Sequence, residues 1–178
     1  LFTLWMARHP LSEMLPLLAG DVHPPLATLL VAGWRALGGE GTAWLKLLPL
    51  SIGMLTLVAT HGFARSLFGR RVALLALAVI ALHPMHIYFS QELRSYGLLT
   101  LALVLAAWTA WRWVESGRAR DAALWTLAAG LAVHTHYLGI VVLALLDAWV
   151  LLRIARTPRR LVPWAIAHAG VLVLVLPL

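Results

Sequence analysis

The 178-residue sequence has no cysteine, so neither a disulfide framework nor a thiolate metal site is available, and the redox compartment stays open. Charge is also scarce: Asp, Glu, Lys and Arg make up 12% of the chain, with seven acids against 14 Lys and Arg. No glycine-rich phosphate loop, G-x-S-x-G elbow or H-E-x-x-H pair occurs, which removes the short motifs of nucleotide binding, serine hydrolysis and zinc proteolysis. No repeat of roughly 20–50 residues and no low-complexity linker divides it. What fills the chain instead is hydrocarbon. Apolar residues account for 62%, with nine tryptophans, more than a soluble domain of this length can hide. The expectation is an all-α, polytopic transmembrane bundle. The start at Leu1 without a methionine and the end at Leu178 inside an apolar run read as an internal piece of a longer membrane protein.

The net charge of +7 resembles a nucleic-acid signal only until the basic residues are placed. Ten of the 14 fall in three short clusters between apolar runs: Arg65/Arg70/Arg71, Arg112/Arg118/Arg120 and Arg153/Arg156/Arg159/Arg160. That pattern sets membrane topology and argues against a polyanion partner. Residues 47–68, 72–89, 97–114 and 161–178 are long and apolar enough to span. The 31 residues of 122–152 are too many for one span, and arginines at both ends require an even number of crossings between them. They read as a hairpin of two short spans, 122–137 and 138–152, bending near Tyr137-Leu138-Gly139, where glycine permits a tight turn. The result is about six spans over 47–178, preceded by an outer-face segment, 1–46, with two interfacial helices at 11–18 and 26–37.

This threading collects the polar residues on one membrane face. Asp21 and His23 lie in the first outer segment; His83, His86, Tyr88, Gln91, Glu92, Arg94 and Tyr96 at the second outer turn; His134, His136 and Tyr137 at the third. Ionisable groups at membrane depth are expensive and face interior, water-accessible cavities, so a polar site at the outer end is expected. An enzyme site and a transporter or flippase vestibule for an anion both fit that description. Their difference is that a transporter is built from inverted repeats with midplane sites, and no repeat is visible here.

Each motif carries two readings. In "HPMHIYFSQELRSYG", residues 83–97, a continuous helix sets Glu92 with Tyr96 and Ser90 with Arg94 on neighbouring faces. Arg94 offers a planar fork of donors for a phosphate, or it neutralises Glu92. In "HTHYLG", His134 and His136 lie two apart, which in an extended segment turns both imidazoles to one pocket. They serve a phosphate or sugar, supply two ligands of an incomplete divalent-metal set, or anchor helix ends. In "GDVHPPL", the prolines make a stiff surface turn, and the same stiffness fixes Asp21 and His23 before the bundle. Asp147 needs a partner inside its span, and Arg153 is within snorkelling reach. Trp108, Trp111, Trp113, Trp149 and Trp164 read as an interfacial aromatic belt.

Taken in order, "D-x-HPPL", "HPMHIYFSQELRSYGLL" and "HTHYLG" resemble the GT-C membrane glycosyltransferases. The nearest branch holds the Rgt-type lipopolysaccharide-core transferases, related to protein O-mannosyltransferases and the lipid A aminoarabinose transferase. The resemblance implies transfer of a sugar, with inversion, from a polyprenyl-phosphate donor to a lipid, glycan or protein acceptor. It also implies a multi-pass bacterial inner-membrane enzyme facing the periplasm. Asp21 becomes a catalytic or positioning acid. His23, His86, Tyr88, Gln91, Glu92, Arg94, Tyr96, His134, His136 and Tyr137 become the substrate-binding set. In the family an acidic residue precedes a stretch like "LFTLWMARHPLSEML", so the main general base is expected upstream of Leu1 and the 178 residues alone are expected to be inactive. The resemblance fixes no metal requirement and leaves a divalent metal possible.

Overall fold

The computed structural model describes residues 2–21, 23–155 and 157–175. Arg156 of the third basic cluster and the last three residues of the 161–178 segment lie outside this range. Among the described residues every regular element is helical. The order is α1 (Phe2–Met6), α2 (Leu11–Ala19), α3 (Leu26–Gly38), α4 (Thr42–Leu82), α5 (Pro84–Phe89), α6 (Ser95–Ser116), α7 (Ala119–Thr135), α8 (Leu138–Ile154) and α9 (Leu161–Val175), with a 3-10 turn at Pro158–Arg160. The chain is thus all-α, as its composition requires.

A straight α4 would measure about 60 Å, twice the ~30 Å hydrocarbon core of a bilayer. It is broken at Gly69, whose φ of 79° and ψ of −179° are not helical. Only glycine takes that conformation without strain. The second limb returns along the first, because Gly53 and Thr56 before the break and Ile80 after it line one cavity. Arg70 and Arg71 directly follow the break, between the two expected segments. The second of those segments, 72–89, is not continuous. His83 is extended, with φ −70° and ψ 124°, and Pro84 opens α5. The ring of a proline pushes the residue before it out of the helical region, and that rule overrides the apolar run.

Helices α6 and α7 form an antiparallel hairpin whose turn is Gly117, left-handed with φ 65°. With α8 and α9 they share the main core, in which Ala102, Ala106, Ala110, Ala129 and Ala132 are fully buried. Small side chains let helix backbones approach closely where lipid supplies no drive for burial. Tryptophans fill the remaining space. Trp113 stacks on Trp164 with centroids 4.9 Å apart, and Trp125 meets Trp164 at 4.3 Å. Trp113 and Trp164, read as belt residues, are therefore core residues at 1% and 3% exposure. Counting tryptophans near span ends does not reveal which way each indole points.

Helices α7 and α8 meet in the expected hairpin, but Gly139 plays another part in it. Its φ is not positive, and a Cβ there would sit 3.0 Å from the Ala132 carbonyl oxygen, so glycine is needed for close approach. Asp147 on α8 finds His168 of α9 at 2.9 Å, not Arg153. Arg153 instead faces Glu115 at 3.9 Å. Two described helices, α4 and α6, are long and apolar enough to cross a membrane. At 17 residues each, α7 and α8 stand at the lower limit of about 17 for a span.

The first segment folds as a cap on this bundle. Met6, Met14 and Leu18 form its small core, and Ala7 and Val31 pack with Leu48 of α4. Trp34 and Trp44 stack at 4.5 Å and 9°, each donating its indole N–H to the other's carbonyl at 2.9 Å. Between them, Glu40 accepts from Arg35 and Arg8. Those hydrogen bonds hold its carboxyl below the ordinary glutamate value.

Candidate functional site where the first, second and third polar segments meet

Three chain segments meet at the end of the bundle where α6 begins. Helix α2 ends at Ala19 with Gly20 as its C-cap, and Pro25 caps the start of α3. This leaves Asp21 and His23 on an irregular strip at the bundle end. Asp21 Oδ1 lies 3.4 Å from His23 Nδ1, with the carboxylate 12% and the imidazole 49% exposed. From the second segment, Arg94 caps α6 in extended conformation, φ −125° and ψ 159°. Asp21, His23, Arg94 and Tyr96 line one cleft of about 210 Å³, together with Thr3 of α1 and Thr28 of α3.

The third segment closes the group. His136, the cap residue of α7, is extended, with φ −165° and ψ 134°. Its ring lies 5.4 Å from that of His23 and 5.3 Å from that of Tyr96. Burial, reinforced by the His23 imidazole, pushes His136 below its ordinary value, so it is neutral at pH 7. Its Nδ1 accepts the Leu138 N–H at 3.1 Å, which leaves the proton on Nε2.

The arrangement has distinct chemical parts. Asp21 brings a carboxylate to the cleft, with the His23 imidazole beside it. Arg94 has no ion-pair partner among the described residues. Its guanidinium stands at the start of a 22-residue helix, where free N–H groups and the helix dipole also favour an anion. An anionic group in this cleft would meet both.

Not every residue singled out in the sequence reaches the cleft. Residues 90–94 form an irregular turn, so the helical pairing of Glu92 with Tyr96 and of Ser90 with Arg94 does not exist. Glu92 lines a narrow slot beside the cleft, shared with Arg94. Gln91 and Tyr88 are exposed, Tyr88 edge-on to Phe89 at 5.1 Å. His86 lines a different cavity, on the other side of the turn. His134 does not share a pocket with His136. Its Nε2 meets the Leu174 carbonyl at 2.7 Å and ties α7 to α9. Residue 134 lies inside the helix and residue 136 outside it, so the spacing of two no longer turns both rings one way. Tyr137 is exposed at the α7–α8 turn. No group of three or more His, Asp or Glu able to hold a metal ion occurs among the described residues. Thr3, Thr28 and Ser95 of the cleft carried no sequence signal beyond their polarity.

An apolar helical bundle with two helices long and apolar enough to cross a membrane defines, first, an integral-membrane protein. The family model described as dolichyl-phosphate-mannose-protein mannosyltransferase matches residues 22–178, and the chain belongs to that family. It is thus a membrane glycosyltransferase that uses polyprenyl-phosphate sugar donors, and the transporter alternative is set aside. Comparison with curated proteins and with solved structures gives no match.

Proposed function

We propose that the protein transfers a sugar, with inversion, from a polyprenyl-phosphate carrier to an acceptor hydroxyl in the cleft of Asp21, His23 and Arg94. The convergence of a carboxylate and an unpaired guanidinium in one cleft, within a family of membrane glycosyltransferases, carries this reading. The donor phosphate sits against Arg94 and the N-terminus of α6. Its lipid chain leaves over the apolar surface past Leu30, exposed at the edge of the narrow slot that shares Arg94 with the cleft. The acceptor oxygen attacks the anomeric carbon, the bond to the phosphate oxygen breaks, and polyprenyl phosphate departs with the electron pair. Asp21 takes the acceptor proton or positions the hydroxyl for an acid upstream of Leu1. His23, Tyr96 and His136 shape the wall on which the sugar rests. The arginine clusters lie on the cytoplasmic side of a bacterial inner membrane, with the cleft facing the periplasm.

The test uses the intact protein in membranes with a panel of polyprenyl-phosphate sugars. Arg94→Ala and Asp21→Asn each abolish transfer while leaving expression and membrane insertion unchanged. Normal turnover in both variants overturns the site assignment, and transport of a free solute with no glycosylated product overturns the activity.

A further inference from the structure

The turn at residues 90–96 has a cavity on each side. The first is the polar cleft. The second, of about 250 Å³, lies between the two limbs of α4, helix α5 and the first turns of α6. Tyr96 lines one and Gly97 the other, so the two cavities are separated by one turn of backbone.

The second cavity looks polar from its residue names, and its hydrogen bonds say otherwise. Thr56, Ser90 and Thr100 donate their hydroxyls to the carbonyls of Ile52, His86 and Tyr96 in their own helices, at 2.9, 2.7 and 2.8 Å. A hydroxyl bonded back to its own helix leaves its carbon framework as the main lining. The remaining surface comes from Ile80, Met85, Phe89 and glycine backbone. Only His83 and His86 keep free ring nitrogens. His83 Nδ1 accepts the Met85 N–H at 3.3 Å, which places its own proton on Nε2 as a donor. On the same limb of α4 as Ile80, Leu75, Val79 and Leu82 are 64–76% exposed, an apolar stripe of the kind that faces lipid, and Met85 of the lining is itself 54% exposed.

We propose that this cavity seats a hydrocarbon chain of a lipid acceptor, with its polar head at His83 and His86. This rests on the glycosyl-transfer reading above and names the acceptor class for it. The donor is anchored at Arg94, and Arg94 lines the cleft and its slot but not this cavity. The cavity is therefore left for the second substrate. A peptide or a soluble glycan needs many donors and acceptors, and two imidazoles do not supply them. A chain arriving sideways from the bilayer needs none, and its head reaches the cleft across one turn.

The intact protein in nanodiscs is photolabelled with a diazirine-bearing acyl phosphatidylglycerol and, separately, with a diazirine-bearing farnesyl phosphate. The acyl probe labels the peptide around Met85, and the isoprenoid probe labels the surface around Leu30. Thr100→Trp fills the cavity and removes the acyl label while keeping the isoprenoid label. Thr100→Ala keeps both, which separates filling from misfolding. Acyl labelling at Met85 no stronger than at the exposed Leu152 overturns the proposal. Isoprenoid labelling at Met85 that Thr100→Trp removes also overturns it, by making the cavity the donor's seat. Arg94→Ala reports on the donor reading separately. It removes the isoprenoid label and spares the acyl label, and an isoprenoid label that survives it counts against Arg94 while leaving the acyl cavity standing.

Discussion

The two ends of the bundle handle charge in opposite ways. At the end where α6 finishes, Asp121 is 1% exposed, yet it is paired: Arg112 lies 2.9 Å away and Ser116 donates its hydroxyl at 2.7 Å. Arg160 crosses from the 3-10 turn to donate to the Val114 carbonyl. At the end where α6 begins, Arg94 has no ionic partner among the described residues, and the Asp21–His23 contact is long at 3.4 Å. Buried charges are tolerated when paired, as Asp121 is, whereas Arg94 and His23 are exposed and remain solvated. One end therefore uses its charges to hold the helices together, and the other leaves them open to solvent.

Removing Asp121 tests that contrast hardest. Asp121→Ala removes the partner of Arg112 and unties the α6–α7 turn, and the loss costs up to about 3–5 kcal/mol, less what the 39% exposed Arg112 regains from water. A denaturation series on the intact protein in detergent shows this as a large loss of stability. A stability equal to that of Arg94→Ala would erase the distinction between the ends. Trp125→Ala opens the stack beneath Trp164 and destabilises by a similar ~3–5 kcal/mol, the usual range for truncating a buried tryptophan.

The next effect depends on pH and belongs to the cleft. Because the fold lowers the pKa of His136, the unfolded chain takes up that proton first as pH falls. His136 thus contributes stability above the ordinary histidine value of about 6.5, and that contribution is lost as pH falls through its own lower value. Its charged or titrating neighbours are His23, with Asp21 behind it, and Tyr96. The comparison is the wild-type melting temperature at pH 7.5 and 5.5 against that of His136→Gln. The variant shows the smaller acid loss, and an equal loss in both removes His136 from the account. Smallest of all is Arg153→Ala. Its contact with Glu115 is 3.9 Å, with both side chains more than half exposed, and exposed pairs contribute about 0–1 kcal/mol. A larger change in the same denaturation series would show that the paired end reaches further than its buried members.

Much of the fold was legible because apolar runs and arginine clusters constrain a membrane chain strongly. The break at Gly69, the turn at Gly117 and the reversal after Thr135 all fall where basic residues or polar motifs punctuate the sequence. The interruption at His83 was legible in principle, since Pro84 follows it, but the hydrophobic run masked it. The grouping of Asp21, His23, Arg94, Tyr96 and His136 followed from topology alone. What topology did not separate were side chains on the same face: His134 turns to α9 and His86 to the second cavity. Partners far apart in sequence stayed hidden too. Asp147 and His168 are 21 residues apart, and nothing in either neighbourhood announces the other.

The contact of His136 with both His23 and Tyr96 also bears on how the protein is made. Membrane helices are inserted in order as the chain emerges, and here the first segment waits for a ring more than a hundred residues downstream. Until the α7–α8 turn has formed, His23 lacks the His136 ring that packs beside it. A nascent chain stalled before that point would carry Asp21, His23 and Arg94 without the His136 ring that packs on His23 and Tyr96. The surroundings of the cleft are completed only after α7 is in place.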